Sequence, residues 1–129
     1  MKRFDSPADL SSRPASELYG MMSSFNELGK MMPDQIENWE STEDFCSFSI
    51  RNMAEISLRY QQRIPYNEVQ IVSEKAPFQI QLTIKLKELD NKKVQCITTL
   101  EANLNPMLSM LASRPLQHLI DTINRKLTA

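Results

Sequence analysis

Residues Phe78–Leu104 read FQIQLTIKLKELDNKKVQCITTLEANL, and the next residues, Asn105–Leu127, read NPMLSMLASRPLQHLIDTINRKL. The first stretch alternates. Phe78, Ile80, Leu82, Ile84 and Leu86 are apolar, while Gln79, Gln81, Thr83 and Lys85 between them are polar. After Asp90-Asn91 the pattern resumes with Val94, Cys96, Thr98, Leu100, Ala102 and Leu104 against Gln95, Thr99, Glu101 and Asn103. A period of two over two adjacent runs describes antiparallel strands with one face on a core and one in water. At Asn105-Pro106 the period becomes helical. Asn105 is a strong N-cap and Pro106 is preset for the first helical position.

The helix is expected over Pro106 to about Leu127. Leu108, Leu111, Ala112, Leu116, Leu119, Ile120, Ile123 and Leu127 form its apolar stripe. Ser109, Ser113, Gln117, Asp121, Asn124 and Arg125 form the opposite face. At 1.5 Å per residue it spans about 33 Å, enough to cross a small sheet. Pro115 lies inside it, removes the hydrogen bond to the carbonyl of Leu111, and predicts a kink.

Working backwards, five short connections separate six strands: Gln35–Thr42, Phe45–Ile50, Ala54–Ile64, Glu68–Glu74, Phe78–Leu89 and Lys92–Leu104. Connections this short join antiparallel neighbours, so the six form a meander. Gln35–Thr42 alternates poorly and reads as bulged, with Trp39 toward the core. Inward positions of Ala54–Ile64 are Ala54, Ile56, Leu58, Tyr60, Gln62 and Ile64. A further strand is expected over Lys2–Leu10, with Phe4, Ser6, Ala8 and Leu10 on one face. Two short helices follow, one capped by Ser12 and one over Asn26–Met32. The fold class is α+β: a curved seven-stranded antiparallel sheet around a long C-terminal helix, in one domain spanning residues 1–129.

Composition bounds the function. The chain has 129 residues, 41% hydrophobic and 24% charged, as ordinary globular proteins do. A net charge of −1 carries no footprint for nucleic acid. No apolar run is long enough for membrane insertion, and MKRFDSPADL lacks the apolar core of a signal peptide. The expected location is cytoplasmic. Two glycines exclude a glycine-rich phosphate loop. Eight methionines either fill core gaps or line an adaptable pocket.

Candidate chemistry is sparse. Inward strand positions supply Ser6, Cys46, Tyr60, Gln62, Ser73, Cys96 and Thr98, with no Asp, Glu, Arg, Lys or His among them. No catalytic residue, cofactor or metal is therefore expected. His118, at the edge of the helix stripe, has no ligand partner at metal spacing and reads as structural or exposed. Glu37, Glu40, Glu43 and Asp44 read as solvated turn residues. Cys46 and Cys96 lie on separate strands and read as buried free thiols. Tyr60 and Gln62, two residues apart on one face, are the best polar anchors for a ligand. Alternatively, they bond to each other, to backbone or to buried water.

Two stretches, MMPDQIENWESTEDFCSFSI (Met31–Ile50) and LEANLNPMLSMLASRPLQHLID (Leu100–Asp121), together with the element order, make the chain resemble the START / polyketide-cyclase superfamily, called SRPBCC. It looks most like small bacterial members of that group. The resemblance covers the whole chain and implies the helix-grip fold, with an apolar cavity between sheet and C-terminal helix. It implies binding or transport of a small apolar ligand such as a lipid, isoprenoid or polyketide-like molecule. Tyr60, Gln62 and Thr98 would orient that ligand, and Ile80, Leu82, Ile84, Leu100, Leu108, Leu111, Ala112, Leu116 and Leu119 would line the site. Larger relatives often carry a glycine-rich loop where this chain has Glu43-Asp44, which points to a smaller cavity. A protein-interaction module with a filled interior is the alternative. A cyclase- or aromatase-type enzyme is a weaker one, since cyclases of the superfamily hold arginine or acid/base residues in the pocket.

Overall fold

A computed structural model describes all residues, 1–129. The chain runs β1 (Lys2–Asp5), β2 (Asp9–Ser11), α1 (Ala15–Met22), α2 (Phe25–Leu28), a 3-10 turn (Gly29–Met31), β3 (Ile36–Ser41), β4 (Phe45–Ile50), β5 (Ala54–Ile64), β6 (Glu68–Lys75), β7 (Ile80–Glu88), β8 (Val94–Ala102) and α3 (Pro106–Thr128). The strands form one antiparallel sheet in the order β1-β8-β7-β6-β5-β4-β3, with β2 also on β8. Six of its strands are the expected meander. Helix α3 packs over β8, β1 and β2. The expected cap holds: Asn105 accepts a hydrogen bond from the Leu108 amide at 2.8 Å.

The expected first strand is two strands, because Pro7 has no N–H to give to a ladder. Asp5 pairs with Thr99 and Asp9 pairs with Cys96, so four steps on one chain match three on the other. The inserted residue inverts the faces beyond it. Leu10, expected inward, is 51% exposed, and Ser11 is buried in its place. At the break, the Ser6 hydroxyl accepts from the Thr98 amide at 2.9 Å, standing in for the missing carbonyl.

Ser12 is not the cap of α1. Pro14 holds that position without a side-chain bond, and the Ser12 hydroxyl instead accepts from Lys93 at 2.6 Å. Helix α2 starts one residue earlier than expected and is capped by Ser24, which accepts from the Asn26 amide. The bulge in β3 falls between Glu37 and Glu40, with Asn38 at φ 57°. It turns Trp39 onto Phe48, whose ring it stacks at 5.4 Å, and toward Phe25. Gly29 lies against the Trp39 indole so closely that an added Cβ would collide with it. That is why the helical turn after α2 holds glycine.

Twenty-nine buried apolar residues form one contiguous cluster, drawn from the inner faces of β4–β8, from α1 and α2, and from α3. The stripe on α3 is narrower than its composition predicts. Ala112, Leu116, Leu119, Ile120, Ile123 and Leu127 are buried and Leu108 is half-buried, but Leu111 is 62% exposed. Met107 and Met110 are exposed beside it. The covered row runs Leu108, Ala112, Leu116, and Leu111 lies to one side of it. The expected polar face is also broken, since Asn124 is fully buried.

Candidate functional site

The residues expected to bind ligand divide into three groups. Ile80, Leu82, Ile84 and Leu100 lie on the inner face of β7 and β8, buried as the alternation requires. Ala112, Leu116 and Leu119 cover them from α3. The polar anchors are mostly committed within the protein. The Tyr60 hydroxyl donates to the Met22 carbonyl at 2.7 Å, which ties β5 to the end of α1. Its ring lies 4.4 Å from that of Phe25. Burial pushes the phenol's pKa well above its usual range, so the hydroxyl stays a neutral donor.

Gln62 does not share the face of Tyr60. A bulge separates them: Tyr60 pairs with Ile71 and Gln62 with Gln70, two steps on β5 against one on β6. The alternation inverts, Gln62 is exposed, and Arg63 pairs with the buried Val69. Directly opposed residues share a face, so an arginine stands on the inner side of β5 after all. Its guanidinium lies 3.9 Å from the Tyr60 ring centroid. It donates to the carbonyls of Ser23 and Glu43 and pairs with Asp44 at 2.8 Å. These bonds employ Arg63 as a clasp between β5, the α1–α2 junction and the β3–β4 turn. Two adjacent glutamines with no alternation between them, Gln61-Gln62, were the available signal for the bulge.

Thr98 is buried and donates to Asn124 Oδ1 at 2.9 Å. The Asn124 amide donates in turn to the carbonyls of Cys96 and Pro7 and to Asp9 Oδ2, at 2.9, 3.1 and 2.8 Å. This node fastens the C-terminal half of α3 to β8 and to the break between β1 and β2. Helical spacing alone pointed to it. Asn124 is four residues after Ile120 and three before Leu127, inside the buried row.

Five cavities indent the molecule, and none is lined by Ile80, Leu82, Ile84, Thr98 or Leu100. The largest, about 440 Å³, is polar and lies along Glu40, Ser47, Ser57 and Lys75, a row across four strands. Only one touches α3. It is a cleft of about 280 Å³ lined by Gln35, Ile50, Arg51, Arg114, Pro115 and His118. Gln35 Nε2 donates to the Pro115 carbonyl at 3.1 Å across it. The cleft therefore opens where α3 carries its internal proline, and the exposed Met107, Met110 and Leu111 lie on the helix turns before it.

The two thiols are buried on β4 and β8, with three strands between them in the sheet. Burial pushes each up to about 12, so almost no thiolate exists at neutral pH. Both are expected to label slowly with a bulky thiol reagent in the native state and rapidly in denaturant. Fast native labelling of either would show that its strand opens or that it faces a reachable site. No group of three or more His, Cys, Asp or Glu side chains is placed to hold a metal. No helix is long and apolar enough to cross a membrane.

No protein-family model and no curated protein sequence matches the chain. Solved structures do. A Thermus thermophilus protein superposes with a TM-score of 0.76 at 13% identity, over 98% of this chain and 94% of that one. A START superfamily protein from Mycobacterium smegmatis gives 0.69 at 12% identity, over 97% and 96%. The Zhui aromatase/cyclase from a Streptomyces species gives 0.69 at 11%, over 98% and 93%. Across nearly its whole length, then, a sheet curved around a long C-terminal helix gives this chain the START / polyketide-cyclase-like helix-grip fold.

Proposed function

We propose that the protein binds a small apolar ligand, of the lipid, isoprenoid or polyketide-like kind, without transforming it. The observation that carries this reading is the uneven packing of α3. Its C-terminal half is buried and bonded through Asn124, while its N-terminal half leaves Met107, Met110 and Leu111 in water on the turns that lead to the cleft at Pro115. Exposed apolar side chains at a concavity favour an apolar guest, because covering them removes their area from water. The START and aromatase/cyclase proteins that share the fold add support by analogy only.

In this reading the ligand sits shallowly, beneath and beside the first turns of α3. The side chains expected to line a deep cavity fill the centre instead. A cyclase-type enzyme working in the interior between sheet and helix would need a free acid, base or arginine pointing inward there. Arg63 is on the inner face but is held by three partners, so it supplies none. The cytoplasm is the compartment this reading expects.

Native mass spectrometry of small molecules that co-purify with the chain tests the proposal directly. Calorimetry with an apolar fluorescent probe should also give micromolar affinity, about −8 kcal/mol, with a negative heat-capacity change. Pro115→Ala should change that affinity while leaving the fold intact, since it restores a helical N–H. No binding across a broad panel of lipids and probes would overturn the reading. The filled centre favours a second reading, a protein-interaction module, which would then take its place.

A further inference from the structure

The cleft at Pro115 has a charge character that a site for a neutral apolar molecule does not need. We infer that it takes a small amphipathic anion, an apolar body carrying one carboxylate, with the carboxylate held by Arg114 and His118. This inference rests on the apolar-ligand reading above and names the ligand class for that site.

Of the residues that line the cleft, Ile50 is buried, Pro115 and Gln35 are half-buried, and Arg51, Arg114 and His118 are exposed at its rim. These three exposed residues all carry basic side chains, and Gln35 is the other polar one. They differ in how far they are already committed. Arg51 donates to the Asp34 carbonyl at 3.0 Å and pairs with Glu37 at 3.4 Å. Gln35 bonds the Pro115 carbonyl. Arg114 and His118 are exposed, one turn apart on α3, and make no side-chain hydrogen bond or ion pair within the protein. An uncommitted guanidinium offers a planar fork that suits a carboxylate, and the imidazole adds an N–H donor.

The apolar part of the guest has a place as well. At about 100° per residue, Met107, Leu111, Arg114 and His118 fall within roughly 60° of one another around α3. They form a line that is apolar for its first two turns and basic for the next two. Met110 widens the apolar end. A carboxylate at Arg114 and His118 would therefore lay a short alkyl or isoprenoid tail along Leu111 and Met107. Methionine suits such a contact because its side chain is flexible and polarizable.

Titration of the isotope-labelled full chain with octanoate, octanol and acetate, followed by NMR, tests the inference. Octanoate is expected to bind at least tenfold more tightly than octanol and than acetate. The shifts should fall on Ile50, Arg51, Leu111, Arg114 and His118. The variant Arg114→Gln/His118→Gln changes only exposed side chains. It should bring octanoate down to the affinity of octanol while leaving octanol within twofold. Equal affinities of octanoate and octanol for the native chain would overturn the inference and leave the apolar-ligand reading standing. Absence of octanoate binding would overturn the inference, and absence of binding across the broad panel of lipids and probes as well would overturn both. A preference that survives the double variant, or acetate binding as tightly as octanoate, would also overturn the inference. So would sedimentation with phosphatidylglycerol vesicles in the absence of octanoate binding, since the surface would then be a membrane contact.

Discussion

Replacing Asn124 by alanine is expected to cost on the order of 3 kcal/mol or more of folding stability, although the residue looks like a polar face position. Its side chain accepts from Thr98 and donates to the carbonyls of Cys96 and Pro7 and to Asp9. Removing it leaves the buried Thr98 hydroxyl and the Cys96 carbonyl without this partner, while the exposed Pro7 carbonyl keeps the Ser6 hydroxyl. A buried group stripped of its partner loses about 1–3 kcal/mol. Chemical denaturation at unchanged m-value measures the loss. Adding Thr98→Val should recover part of it, because the orphaned hydroxyl goes too, and the double-mutant cycle isolates that coupling. A loss below about 1 kcal/mol would mean that water refills the node and that it does not fasten α3.

Leu116→Ala and Leu111→Ala should give opposite results, five residues apart on one helix. Leu116 is 1% exposed within the core cluster, so truncation leaves a void and costs about 2–5 kcal/mol. Leu111 is 62% exposed, and truncation there should fall within about half a kcal/mol. Both can be read from one set of denaturation curves. Similar losses at both positions would show that the first turns of α3 pack down in solution, which would close the cleft. If Leu111→Ala instead leaves stability alone and weakens probe binding, the exposed leucine serves the ligand.

The meander and α3 were legible because each carries a long, consistent period. The first seven residues of β5, Ala54–Tyr60, alternate until the bulge, and α3 repeats its apolar row over six turns with a cap that holds. The bulges at Tyr60–Gln62 and at Ser6–Ala8 left only short traces in the sequence, the Gln61-Gln62 pair and Pro7. An inserted residue leaves the local composition unchanged while inverting every face beyond it. By alternation Gln62 and Leu10 read as inward, yet both are exposed, and Arg63 and Ser11 hold the inner positions. Asn124 was assigned outward from its residue type alone. Its spacing put it in the buried row, and spacing was the better guide.

The amino-acid sequence by itself determined the element order, the antiparallel pairing and the buried thiols. Each of these follows from local period, short connections and side-chain hydrophobicity. Only the tertiary structure decided which polar groups are already spent, because that depends on distances between residues far apart in the chain. Tyr60 reaches Met22, Arg63 reaches Asp44, and Asn124 reaches Pro7. It also decided that the centre is occupied by side chains while the first turns of α3 stand clear beside Arg114 and His118. How far a sheet curls under a helix is set by register shifts and packing volume over the whole domain, and no stretch of sequence carries it.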